Sequence, residues 1–313
     1  MNDLPPVATV SKSLLFVDDT KCFNHVSNIR DTVSLQHDLD SIAHWSIQSS
    51  LKFNTSKSVH LSFKSKISTT YKLLDVPVVT NTTHKDLGII LSADLSWNYH
   101  YEHITSKAYR MLGLLRRTFS KSLNIPAKKL LYLSLVRSQL IYGSLIWRPY
   151  LIKDIKFIEQ IQRRATKFIL NDFHSDYYNR LIKLEILPIM YMFELYDVMF
   201  LVKSLKTPSP CFCITNFISF THVNTRSTTT SKLQHTYSPN NLVKNFYFNR
   251  LPRIWNSLPP IDLSLSTPVI KTKLYKFLWN HFTLNFQSDN PCTFHFICPC
   301  NKCTNIPHTP AYK

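Results

Sequence analysis

The chain has 313 residues, of which 44% are hydrophobic and 13% aromatic. That is enough for one large or two ordinary domains with real cores, and it argues against a disordered tail. Three glycines against seventeen prolines exclude a Rossmann fingerprint or a P-loop, both of which need clustered glycine for close phosphate approach. A formal charge of +18 points to a polyanionic partner bound in a strongly salt-dependent way; after Asp197 the only acids are Asp262 and Asp289.

In chain order, Leu14, Leu15, Phe16 and Val17 read as a buried strand that resumes at Cys22 and Phe23, with Asp18 and Asp19 at the tip. Adjacent carboxylates repel unless a cation or a proton lies between them. Such a tip therefore suits Mg²⁺, which takes hard oxygen ligands; a plain polar hairpin turn is the alternative. Val33, Leu35, Leu39, Ile42 and Ala43 recur at near-helical spacing. Val59 to Phe63 alternates like a half-buried strand. Val76 to Val79 and Leu87 to Leu91 read as a strand pair, with Pro77 marking an edge and Gly88 a bend.

From about His100 the pattern turns helical. Ile104, Ala108, Met111, Leu112, Leu115 and Phe119 share a face, with Arg110, Arg116 and Arg117 largely off it. Asn124 and Pro126 signal a second helix carrying Leu130, Leu131, Leu133, Val136, Leu140 and Ile141. A third turns Ile155, Ile158, Ile161, Ala165, Phe168 and Ile169 inward and Gln162, Arg163 and Lys167 outward. Pro188 opens a fourth with Met192, Leu195, Tyr196, Met199 and Phe200. Residues 221–240, rich in Thr, Ser, Asn and His, read as a loop. The start, MNDLPP, has neither a basic nor an apolar leader region, and the greasiest stretches are interrupted by Arg137, Gln139, Glu194 and Asp197. With an odd seven cysteines, the expectation is an intracellular protein, nuclear or cytoplasmic, with reduced thiols, neither secreted nor in a membrane.

NDLPP, FVDDTKCF, HDLDSIAHWS, LKFNTSKS and HKDLGIILSADLSW follow one another in order. LVRSQLIYGSLIW, IEQIQRRATKFI and FNRLPRIWNSLP come after them. This series resembles the second half of the palm, and the segments after it, in reverse transcriptases of non-LTR (LINE-type, Jockey-like) retrotransposons. The resemblance implies an α+β fold: a partial polymerase palm over residues 1–99, then a mostly α-helical thumb-like region over 100–206. A basic C-terminal region over 207–290 and a Cys-rich tail over 291–313 would follow.

It also implies RNA-directed DNA polymerase activity by two-metal nucleotidyl transfer, in which Mg²⁺ ions activate the primer hydroxyl and stabilise the leaving pyrophosphate. Asp18 would be a metal ligand with Asp19 beside it. Lys57 would approach the triphosphate as a general acid, a solvated surface lysine being the alternative. Lys85 and Gly88 would position the primer end. Arg110, Arg116, Arg117, Lys121, Lys128 and Lys129 would track the phosphate backbone of an RNA–DNA template-primer. Val17 stands where these elements usually carry Ala. The family's third carboxylate lies on an earlier strand, and only Asp3 precedes Asp18 here. The chain is therefore expected to be inactive alone and to need an upstream palm and fingers portion. A non-catalytic nucleic-acid-binding protein and a non-functional remnant are the alternatives. Cys292, His295, Cys298, Cys300 and Cys303 lie within twelve residues at spacings that would suit Zn²⁺, though they match no standard finger. Unligated thiols are the other reading of them.

Overall fold

Alternation, capping and turn chemistry fix the first elements. The computed structural model describes residues 7–64, 67, 69–119, 123–209, 212–221, 232–235, 238, 240–287 and 289–298. It is a mixed α+β chain in two compact units, residues 1–100 and 101–313.

In the first unit β1 (Lys12–Phe16) pairs antiparallel with β2 (Asp19–Phe23), Phe16 facing Asp19. Val17 and Asp18 are thus a two-residue hairpin loop. Val17 has φ 57°, the left-handed backbone that tight two-residue hairpin turns call for at their first position. α1 (Ile29–Gln48) begins with a capping box: Asp31 N–H donates to Asn28 Oδ1 at 3.1 Å, and Asn28 N–H donates to Asp31 Oδ2 at 3.0 Å. Its Ile42 and Trp45 form a small core against Leu15, Cys22, Val7, Ala8 and Phe53. Val33, expected on this face, is 63% exposed; nine residues from Ile42, it lies on the opposite side of a 3.6-residue helix.

The remaining strands are short. β3 (Val59–His60) pairs in parallel with β6 (Val79–Thr80), whereas β4 (Lys72–Leu73) pairs antiparallel with β5 (Val76–Pro77). β7 (Thr83–Asp86) pairs with β8 (Ile89–Ser92) through a turn whose Leu87 and Gly88 both have positive φ. The strand expected over 59–63 is therefore two residues long. The segment at 87–91 pairs with 83–86, not with 76–79, because the Leu87–Gly88 turn folds it back at once. Among the described residues the sheets are four separate two-stranded ladders.

The second unit is helical. α2 (Asn98–Phe119) buries Ile104, Ala108, Leu112 and Leu115 and exposes Arg110, Arg116 and Arg117, as the periodicity predicts. Asn124 caps α3 (Ile125–Leu131) by accepting from Ala127 N–H at 3.0 Å. The helix continues as a π segment, Tyr132–Arg137, into α4 (Ser138–Ile141) and, past Gly143 (φ 65°), α5 (Ser144–Trp147). Tyr132, Val136 and Leu140 are fully buried, while Leu130, expected inside, is 66% exposed. Inward positions spaced by four residues from Tyr132 leave Leu130 on the outer side.

α6 (Ile152–Leu170) buries all six expected positions, but Gln162 is also 0% exposed, against the outward placement the sequence predicts. α7 (Tyr177–Leu184) is capped by Asp176. α8 (Ile189–Lys206) is buried almost all round, as a central helix must be. α9 (Asn241–Lys244), α10 (Tyr247–Asn256), α11 (Thr267–Asn285) and a short 3₁₀ turn (Pro291–Phe294) complete the unit. The loop expected over 221–240 falls mostly outside the described residues.

Candidate functional site

Asp18 and Asp19 lie exposed at the β1–β2 tip. Beneath them the strand faces divide. Leu15 and Cys22 pack on α1, whereas Leu14, Phe16 and Phe23 on the other face are 57%, 56% and 47% exposed. The hairpin is thus a two-strand ledge with one seated and one open face.

What seats it is Asp38, an acid among the apolar positions of α1. Asp38 is fully buried on α1. Its Oδ1 accepts from Thr9 N–H (2.9 Å) and Thr9 Oγ1 (3.0 Å). Its Oδ2 accepts from Val10 N–H (3.0 Å), Ser11 N–H (2.6 Å) and Ser11 Oγ (2.7 Å). Burial pushes this carboxyl up, but the amides of Ser11, Thr9 and Val10 and the Ser11 hydroxyl outweigh it and hold its pKa well below the usual range. Ser11 Oγ also meets Cys22 Sγ at 2.9 Å, tying the lead-in segment to β2. The signal was present: Asp38 precedes Ile42 by four residues and so lies on the apolar stripe.

A second link joins the hairpins. Lys21 Nζ on β2 contacts Asp86 Oδ2 on β7 at 2.6 Å. The ion pair ties the strand leaving Asp19 to the ladder carrying Lys85 and Gly88. Partial exposure limits it to roughly 0–1 kcal/mol, so it orients more than it stabilises. Gly88, with φ 86°, makes the bend predicted for it. Lys57 lies exposed in the turn after Asn54, its N–H on Asn54 O at 3.1 Å. No ion pair joins it to Asp18 or Asp19 among the described residues.

The donors present fit a hard cation only in part. Asp18 and Asp19 offer adjacent carboxylate oxygens to Mg²⁺. No group of three or more potential ligands occurs among the described residues. For the zinc expectation, Cys292 is half-buried and Cys298 and His295 are buried, while Cys300 and Cys303 lie outside the described residues. His295 lies with Nδ1 3.9 Å from Glu194 Oε1, and neither ring nitrogen has a hydrogen-bond partner among the described residues. Burial and the neighbouring Arg148 hold its pKa well below the ordinary imidazole value, so it is neutral. The described part of the tail thus assembles no zinc set.

In the second unit Arg110, Arg116 and Arg117 are exposed along α2 and Lys129 is half-buried. Lys128 is corrected: it is 7% exposed, with Nζ 5.2 Å from the Phe168 ring centroid, a cation–π contact that takes it out of any open basic face. Lys121 lies outside the described residues. Arg163, expected outward, stacks its guanidinium 4.6 Å from the Tyr177 ring and 5.5 Å from the Phe294 ring.

Two buried polar networks were not foreseen. In one, Tyr132 O–H donates to Gln162 Oε1 (2.8 Å), Gln162 Nε2 donates to Leu187 O (3.0 Å) and Tyr177 O–H (3.1 Å), and Ile189 N–H donates to Glu159 Oε2 (3.0 Å). Burial pushes the Glu159 carboxyl up to about 7, against the opposing hydrogen bonds of Tyr177 and Ile189. In the other, Arg148 donates to Asp197 (2.7 Å) and Glu194 (2.9 Å), and Arg250 donates to Asp197 through Nε (2.8 Å) and Nη2 (3.0 Å). Glu194 also accepts from Phe296 N–H (2.7 Å) and Ile297 N–H (3.1 Å). All four charged groups are buried, so the motif residues of α6 and α10 have structural work of their own.

No helix among the described residues is long and apolar enough to cross a membrane. No family model, curated protein or solved structure matches the chain, so the reading of its function rests on these residues and their arrangement.

Proposed function

We propose that the chain is part of a reverse transcriptase of a non-LTR retrotransposon, contributing the Asp18–Asp19 hairpin of a palm and, later in the sequence, a helical, basic region. The observation that carries this reading is the hairpin itself. An adjacent carboxylate pair sits at a two-residue turn, on a ladder seated by Asp38 and tied to the Lys85–Gly88 turn region by Lys21–Asp86. A short, seated hairpin presents its tip carboxylates with little freedom, which is what positioning a cation at a primer terminus requires.

In this reading Asp18 holds the cation and Asp19 supports it. Lys57 and Lys85 face the phosphates, and α2 offers Arg110, Arg116 and Arg117 to the template-primer backbone. Bound Mg²⁺ would supply Lewis acidity toward the attacking hydroxyl and the leaving pyrophosphate. A third carboxylate has to come from a complementing palm and fingers segment.

Primer extension by the chain joined to such a segment tests this. Asp18→Asn should slow extension on the order of a hundredfold or more, the scale on which losing one preorganised electrostatic group slows catalysis. Unchanged extension would refute it. The exposed α2 arginines and the +18 charge favour a second reading, a non-catalytic nucleic-acid-binding protein. It predicts single-stranded RNA binding that falls steeply with salt and is indifferent to Asp18→Asn.

A further inference from the structure

In the second unit, α6 and the 3₁₀ turn that holds Phe294 line a cavity of about 330 Å³. That volume falls within the roughly 300–1,000 Å³ of small-molecule sites and exceeds what a single ion fills. Its floor is closed: Ile155 and Phe294 are 2% and 4% exposed. Glu159 lies there too, with its oxygens committed to Tyr177, Gln162 and Ile189. The mouth is open. Lys156, Gln160 and Asp289 are exposed and Arg163 is half-buried, so these four side chains are the ones that meet a ligand.

Burial keeps Glu159 mainly protonated below about pH 7, which leaves two cations at the mouth against Asp289 alone. Such a wall favours an anion. Arg163 adds shape to charge. Its guanidinium is backed by the rings of Tyr177 and Phe294, and a guanidinium plane supported in this way is a platform for a further planar ring. Lys156 lies two turns earlier on α6, about 10 Å along the axis. Its compact ammonium suits a phosphate rather than a second ring. Gln160 lies between the two cations on the helix, and with Asp289 it offers amide and carboxylate groups to the polar edge of a base.

We infer that this cavity binds one nucleotide, with its base on the Arg163 plane, its phosphate at Lys156 and its base edge met by Gln160 and Asp289. A free mononucleotide and a nucleotide unit of a single strand present the same chemistry. Assignment to a strand rests on the nucleic-acid reading above; the binding of a free mononucleotide does not.

Isothermal calorimetry on the full chain tests this, with adenosine monophosphate, adenosine and inorganic phosphate as separate probes. At about pH 6.5 Glu159 is mainly protonated. Adenosine monophosphate should bind at least about tenfold tighter than either part, because it alone reaches both Arg163 and Lys156. Lys156→Gln, at an exposed position, should lower its affinity to that of adenosine. Arg163→Lys, which keeps the charge and loses the plane, should lower it to that of phosphate. No binding by the native chain, equal binding of adenosine monophosphate and phosphate, or undiminished affinity in Lys156→Gln overturns the inference. Where Arg163→Lys does not fold, Lys156→Gln decides by the same criteria.

A labelled single-stranded oligonucleotide then separates the sources. If the occupant belongs to a strand, Lys156→Gln weakens oligonucleotide binding and lowers its salt slope by about 0.7, one contact's worth. Weakened mononucleotide binding with unchanged oligonucleotide binding supports the cavity and assigns it to the free nucleotide. Absence of oligonucleotide binding in both proteins removes the nucleic-acid reading alone.

Discussion

Val17 and Asp38 set the hairpin by opposite means. Val17 is β-branched and holds φ 57°, where a Cβ is crowded by the following carbonyl, so the tip stores backbone strain of about 1–3 kcal/mol. Val17→Gly should release part of it and raise the unfolding free energy by about 1 kcal/mol, read as a higher midpoint in urea melts. Asp38 is the opposing stabiliser. Asp38→Ala leaves the buried Ser11 amide and the partly buried amides of Thr9 and Val10 without their acceptor and should cost about 1–3 kcal/mol on the same measurement. Because its folded pKa is depressed, its contribution is present above the ordinary carboxylate range and is lost as pH falls toward the folded value. The carboxylate pair was legible because an apolar run precedes it and Cys22 and Phe23 resume the strand, but the burial expected over Leu14–Val17 holds only for Leu15: Leu14 and Phe16 face outward on the open side of the ladder and Val17 lies in the turn. Asp38 was legible only as a position on the apolar stripe; its role as an acceptor was not, because its partners lie 27–29 residues away.

Among elements, periodicity located the helices well and misjudged the polar residues on their inner faces. Gln162 follows Ile158 by four positions, so the stripe that buries Ile158 carries Gln162 with it. A buried glutamine is tolerated here because Tyr132, Tyr177 and Leu187 satisfy its amide. Glu159 in the same network gives a pH signature. Its folded pKa is raised to about 7, so its protonated form favours folding. That contribution is full below the unfolded carboxylate pKa and declines as pH rises to about 7, by about 3 kcal/mol in all. Glu159→Gln, which mimics the neutral acid, should flatten stability between about pH 5 and 7; a parallel decline in both proteins would refute this. The π segment was not legible either, since Tyr132, Val136 and Leu140 keep a helical spacing through it.

At the scale of the whole molecule, composition signalled a folded, basic chain, but not how its β residues would pair. Two-residue ladders carry too few side chains to show a period, so their partners depend on turns such as Leu87–Gly88. The +18 charge predicts that nucleic-acid affinity falls by orders of magnitude between roughly 50 and 200 mM salt, which fluorescence anisotropy would measure. The first residues of the Cys-rich tail are tied into the helical unit: Phe296 and Ile297 donate backbone N–H groups to Glu194, over a hundred residues earlier. This reach has a consequence for synthesis on the ribosome. α8 leaves the exit tunnel with Glu194 and Asp197 before Arg250 and residues 296–297 exist to receive them. At about 5–20 residues per second the wait is several seconds to some twenty. Over that interval the second unit cannot close its core around two charged acids, whereas the contacts of Asp38 are complete as soon as α1 emerges.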